Sequence, residues 1–298
     1  MTRPSILSRV GGTFAFLLVL IAAGTVAALV AGGSDNVLLL TALTWVLAAP
    51  GVLFVGQMFG VDAETMGLRP RRDAPRRPRF VLGVVAGLGL VLLPAVIGRL
   101  AGGYVPLGAD AAALLPVPSG QAALAAVVYT LPALVIAAIG EEVLFRGGLL
   151  RLWEPVMGPR GALVLSALFF VVVHTGNPGA SPRGSIGVLL AGIGLGAAFL
   201  ATGNLWVVAG AHLGWNVGEA LVIGVPVSGH TLPSLLRWET ADSDLWRGLL
   251  GGTFGPEEGL LFHGVLGLAT GAALVSAAAS GVFAARDGSD ESSAPNTR

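Results

Sequence analysis

The sequence contains no cysteine and no lysine. Without cysteine there is no disulfide framework, no thiolate metal site and no cysteine nucleophile. All 17 basic residues are therefore arginine, balanced by 17 acidic ones, so net charge points to no partner. Charge is scarce altogether, at 11% of 298 residues, where a soluble globular domain carries about 25%. No basic block is interleaved with aromatic residues, and nucleic acid is not an indicated partner. Several protease signatures are missing too: there is no His-Glu-x-x-His, no serine in a Gly-x-Ser-x-Gly setting and no pair of intramembrane aspartates. No internal repeat is visible, which counts against a transporter built from inverted halves.

What the chain has in abundance is apolar surface, with 54% hydrophobic residues and a mean hydropathy of +0.81. This composition is that of an all-α integral membrane protein, and the 45 glycines suit close helix packing in lipid. A span needs about 20 apolar residues. Eight runs qualify, at about 11–32, 37–59, 80–101, 121–145, 161–176, 185–202, 205–224 and 259–284. They divide the chain into a two-helix hairpin with an arginine-rich loop (1–79), a membrane core (80–224), a long loop (225–258) and a last helix with a short tail (259–298). The first run exceeds the 7–15 apolar residues of a signal peptide, so an uncleaved helix is expected. Counting arginines between these runs puts thirteen on one side and four on the other. Since cytoplasmic loops are enriched in arginine, the expected orientation is N-in and C-in, with the loop 225–258 outside, in a multi-pass protein of the cell membrane. Trp238 and Trp246 are expected at the membrane interface. The Arg71–Arg79 cluster reads as a topology determinant, or alternatively as a contact for anionic lipid headgroups.

Against this background Gly140-Glu141-Glu142-Val143-Leu144-Phe145-Arg146-Gly147 stands out, because it puts three charges at the end of an apolar run. Ionisable groups at such depth cost at least about 2.5–3.5 kcal/mol at a helix centre, which makes them functional candidates. Glu142 and Arg146 are four apart and share a helix face, so they are expected to pair. Glu141 points about 100° away and is the reactive candidate. Three more polar residues fall inside spans: His174, and His212 with Asn216 one turn further on. Counted at about 1.5 Å per residue from Arg151, Gly161 and Leu205, Glu141, His174, His212 and Asn216 lie roughly 15, 20, 10 and 16 Å deep, in one layer. A buried glutamate can take a proton from water as general base. A histidine can share the transfer, and histidine or asparagine donors can stabilise the oxyanion. The same set could hold Zn²⁺ through His174, His212 and Glu141, with water at the open position. His230, His263, Glu257 and Glu258 are expected on the outer side, far from this layer.

Glu141-Glu142-x-x-x-Arg146, Phe170-x-x-x-His174 and His212-x-x-x-Asn216 resemble the three ordered motifs of the CPBP family of intramembrane proteases. That family includes type II CAAX prenyl endopeptidases and proteins implicated in bacteriocin processing or self-immunity. The resemblance covers about residues 120–222. Met66-Gly67-Leu68-Arg69-Pro70 also resembles a segment common in bacterial members. The resemblance implies an eight-helix fold with a cavity open to the cytosol. It further implies Glu141 as the group that activates water, His174 as its assistant, His212 and Asn216 as oxyanion donors, and Glu142 and Arg146 in support. The expected function is hydrolysis of a peptide bond near the cytoplasmic membrane face. The expected substrate is a peptide or membrane protein, with lipid-modified chains among the options. A membrane immunity or scaffold protein that binds a peptide in the same cavity is the alternative, with a proton-coupled transporter third.

Overall fold

The computed structural model describes residues 5–32, 36–69, 76–107 and 120–284. The chain is predominantly helical. Its helices are α1 (Ile6–Val30), α2 (Val37–Met58), α3 (Arg76–Leu100), α4 (Gly120–Ala125), α5 (Leu131–Glu142), α6 (Arg151–His174), α7 (Pro182–Thr202), α8 (Leu205–Val217), α9 (Asp244–Leu250) and α10 (Leu260–Ala279). Strands β1 (Tyr104–Pro106) and β2 (Trp238–Thr240) pair antiparallel, with Val105 opposite Glu239. Most of Arg71–Arg79 falls outside the described residues.

Among the described residues, six helices are long and apolar enough to cross a membrane, and one of them is the 48-residue stretch Val127–His174. That stretch reverses direction at Gly158, whose φ of 69° takes it out of the helix. Ser166 Oγ therefore reaches back to donate to Phe145 O at 2.8 Å. The reversal makes two traverses of one. With α8, extended by the π-helical Gly218–Ile223, the described residues hold about eight long helices. The protein is a multi-pass membrane protein.

Two expectations need correcting here. The helix through Glu141 does not end near residue 145 but runs on to the turn at Gly158, through the π-helical segment Val143–Leu150. Arg146 is consequently no loop residue, since it is 1% exposed inside the bundle and carries no information on orientation. Trp238 is likewise buried rather than interfacial, stacked on Tyr104 with ring centroids 6.1 Å apart. Hydropathy could not foresee this, because the two strands that bring these rings together are only three residues long.

Two small-residue contacts position the functional helices. Gly83 and Gly87 of α3 face Gly210 and Gly214 of α8, so closely that a Cβ at Gly87 would strike Ala211 O and one at Gly214 would strike Val84 O. Small residues four apart allow this backbone approach in lipid, where dispersion and not hydrophobicity drives association. On the other side, Gly140 of α5 lies against the Trp45 ring of α2, where an added Cβ would come within 2.6 Å of the indole.

Candidate active site

Glu141 and His174 lie seventeen residues before and sixteen after Gly158. On antiparallel arms this puts both at one level, roughly 25 Å from the turn. Leu205 opens α8 with its N–H on Gly67 O at 3.2 Å. Met66 packs on Gly147, so α8 starts near the level of Gly147. Seven residues up α8 and six residues back along the arm from Gly147, His212 meets Glu141.

The centre of the site is Glu142, which is fully buried. One of its oxygens, Oε1, accepts from Arg146 Nη1 at 2.7 Å and from His212 Nδ1 at 2.9 Å. Arg146 also donates to Gly192 O at 3.2 Å and lies over the Phe170 ring, 4.5 Å from its centroid. Glu142 therefore does more than pair with Arg146, because it also fixes the orientation of His212. With Nδ1–H committed to Glu142, the His212 Nε2 atom faces Glu141 Oε2 at 3.9 Å. His174 is oriented in the same manner. Its Nδ1 lies 2.7 Å from Phe170 O, a group that can only accept, so Nδ1 carries the proton and Nε2 is left for the cavity. Phe170, the motif aromatic, sits between the two histidines, with ring centroids 4.4 Å from His174 and 6.0 Å from His212.

Glu141 differs from its neighbour as the helix geometry requires. Its side chain is 18% exposed and its Oε2 has no hydrogen-bond partner. Glu141, His174, His212 and Asn216 all line one cavity of about 250 Å³. The structure thus brings together the four residues proposed from sequence. A second cavity of about 200 Å³ lies behind them, and His174, His212 and Asn216 line it as well. Its other walls are mostly apolar, from α7 and α10.

The position of the main cavity corrects the expectation of a site close to the arginine-bearing face. Its lining runs from Glu141 and Phe145 outward to Val37, Asn177, Ser228 and His230. It thus extends toward the end of the bundle that holds the start of α2 and the segment 225–258. Among the described residues, none lining the cavity comes from the opposite end, where Arg9 Nη1 donates to Phe59 O at 2.9 Å and Trp153 donates to Thr13 at 2.9 Å. The depth count went astray by taking Arg151 as the edge of a helix that continues to Gly158. His230 and Glu257 are likewise not remote. His230 lines the first cavity with Glu141, and Glu257 lines the second with His174. Burial, then the nearby His174, hold the His230 imidazole below its ordinary pKa. The segment 225–258 folds into the bundle instead of lying over it, and nothing in its composition signals that.

One residue inside a span was overlooked. Glu219, three past Asn216, is fully buried in the π-helical Gly218–Ile223. The argument that singles out Glu141, a carboxylate in an apolar run, applies to it equally. Regarding metal, no three histidine or carboxylate side chains among the described residues are gathered so as to hold an ion.

A family profile described as Rce1-like, type II CAAX prenyl endopeptidase Rce1-like, matches residues 123–218. The match takes in Glu141 through Asn216 and stops short of Glu219, His230 and Glu257. No curated protein sequence and no solved structure matches the chain significantly. Residues 123–218 thus match an Rce1-like domain, and the match supports the resemblance of this part of the chain to the CPBP family of intramembrane proteases.

Proposed function

We propose that the protein is an intramembrane endopeptidase in which Glu141 activates water against a peptide carbonyl. The observation that supports this reading is the unpartnered Glu141 carboxylate oxygen, on a cavity roomy enough for water, with His212 Nε2 at 3.9 Å. Glu141 takes a proton from water, and the hydroxide adds to the carbonyl carbon to give a tetrahedral intermediate. Asn216 supplies amide N–H donors to the resulting oxyanion. His212 donates from Nε2 only as the imidazolium, because its Nδ1 proton is bound to Glu142. Collapse of the intermediate breaks the C–N bond, and the amine leaves with the proton held by Glu141 or relayed by His174. A zinc site at His174, His212 and Glu141 is the alternative, which would require these side chains to draw closer together than they stand here, and cleavage by zinc-stripped protein decides between the two. The substrate is proposed to be a peptide or membrane protein segment, entering the bilayer level of the cavity.

The test is cleavage of membrane peptides by the purified full chain and by Glu141→Ala. Equal cleavage by both refutes the role of Glu141. Biological activity retained in Glu141→Gln, with no cleavage by wild type, points instead to a peptide-binding membrane protein. We further propose N-in and C-in insertion in the cell membrane, on the arginine bias that persists once Arg146 is set aside, twelve against four. Because the chain lacks cysteine, single cysteines placed at either end report the orientation through impermeant thiol reagents.

A further inference from the structure

Besides His174, His212 and Asn216, one turn borders both cavities. Val227 and His230 pair through reciprocal backbone hydrogen bonds of 2.9 Å, with Ser228 and Gly229 at the tip at φ 42° and 90°. Both tip residues are left-handed, as a type I′ turn requires. Ser228 is the only non-glycine residue with positive φ among those described. It lines both cavities, and His230 lines the first beside Glu141. Such a conformation persists only where the surroundings hold it, and strain of this kind gathers at functional sites.

What holds it is Glu257. One oxygen of this buried carboxyl, Oε1, accepts from Ser228 N at 3.0 Å and from Ser228 Oγ at 2.6 Å. Ser228 O in turn accepts from Asn177 at 3.0 Å. The other oxygen, Oε2, has no well-aligned donor, and neither has either oxygen of Glu219, which only the Trp215 indole faces. The two carboxyl groups lie within reach of one another, buried, with no cation bonded to either among the described residues. Two adjacent buried carboxylates cannot both be charged. One proton satisfies the leftover atoms: placed on Glu219, it donates to Glu257 Oε2 and leaves Glu257 as the anion that Ser228 binds.

We propose that Glu257, sharing one proton with Glu219, is a positioning residue that holds the Val227–His230 turn, and with it Ser228, in the wall that the two cavities share. This rests on the peptidase reading of the site. The other polar and titratable groups around the pair are few. Tyr104 of β1 donates to Leu250 O at 3.1 Å. Trp215 of α8 faces Glu219. His263 meets the Glu257 backbone oxygen at 2.7 Å. Glu258 turns away, its Oε1 accepting from Gly252 N at 2.7 Å. Burial pushes the Glu257 carboxyl up to about 7, against the pull of the Ser228 hydrogen bonds. The hold on the turn therefore strengthens as pH rises through neutrality, when Glu257 becomes the anion and hydrogen bonds to it become charge-assisted.

The experiment uses the exposed Thr231, next to the turn. In Thr231→Cys the new thiol is the only one in the chain, and it carries a nitroxide whose mobility is read by electron paramagnetic resonance. Mobility is expected to fall between pH 6 and pH 8, and to stay at its pH 6 level throughout when Glu257→Gln is added. Glu219→Gln, whose amide supplies a permanent donor, retains the response. In cleavage assays, Glu257→Gln loses little at pH 6 and about tenfold in kcat/KM at pH 8. A label response that is absent, or equal with and without Glu257→Gln, overturns the proposal. So does a lost response in Glu219→Gln, or a cleavage deficit equal at both pH values. A label response as described, without cleavage at any pH, supports the hold on the turn and overturns the peptidase reading alone.

Discussion

Replacing Glu142 by alanine should destabilise the protein far more than replacing Glu141, although the two are adjacent. Glu142 is fully buried and accepts from both Arg146 and His212 through one oxygen. Its removal leaves the guanidinium of Arg146, itself 1% exposed, with Gly192 O and the Phe170 ring as its remaining partners. Breaking a buried pair by deleting one partner costs about 3–5 kcal/mol, because an uncompensated charge stays behind. Against a total stability on the order of 5–15 kcal/mol, that is a large fraction. At roughly 2–4 °C per kcal/mol for a chain of this order of size, the midpoint should fall by about 10 °C. Glu141 carries 18% exposure and an oxygen without a partner, so its truncation should leave the midpoint within a degree or two while abolishing cleavage. Thermal unfolding of purified protein in detergent, followed by loss of monodisperse material, measures both. Equal losses for Glu141→Ala and Glu142→Ala would refute the assignment of support to one and chemistry to the other. Restoration in Glu142→Ala/Arg146→Met would show that the stranded charge was the cause.

Three further outcomes are expected. Asn216→Ala should lower kcat by about 10²–10³ with little change in KM, the usual loss when one oxyanion donor is removed, as read from initial rates. Glu257, whose carboxyl is raised from 4.5 to about 7 in the fold, binds more proton folded than unfolded across that window. Stability should thus be fully present below about pH 4.5 and fall by about 3 kcal/mol toward pH 7, with Glu257→Gln flattening the slope in unfolding titrations. Gly87→Val should prevent α3 from meeting α8, because the new side chain strikes Ala211 O, and the yield of folded protein in detergent should collapse.

Most of the helical framework was legible because each traverse is a run of apolar residues, and hydropathy reads such runs directly. The charged cluster at Glu141–Arg146 was legible for the opposite reason, since the cost of burying charge makes it conspicuous in the same runs. The nearly equal spacing of Glu141 and His174 about Gly158 also lies in the sequence, but only once the turn is known to sit at Gly158. Arg151 and Arg160 mimic a loop there, although Arg151 pairs with Glu154 at 2.6 Å on a continuing helix. What could not be read was the segment 225–258. Its contacts with the site depend on Ser228 meeting Glu257, 29 residues away, and on a two-stranded sheet closed across more than 130 residues. Neither has a periodic signature. Glu219 is different again, because the sequence displayed it plainly inside an apolar run.

The glycine seam between α3 and α8 has a mechanical corollary. A helix locked to its neighbour at backbone distance cannot swing without taking that neighbour along, so α8 is the fixed jaw that presents His212 and Asn216. Opposite it, the cavity is walled by Val37, Leu38, Thr41 and Trp45 of α2, where rotamers and not main chains make the contact. If the proposed function holds, admission of a polypeptide from the lipid is expected on the α2 side, and a crosslink tying α2 to α5 should lock the protein with its proposed catalytic groups intact but unreachable.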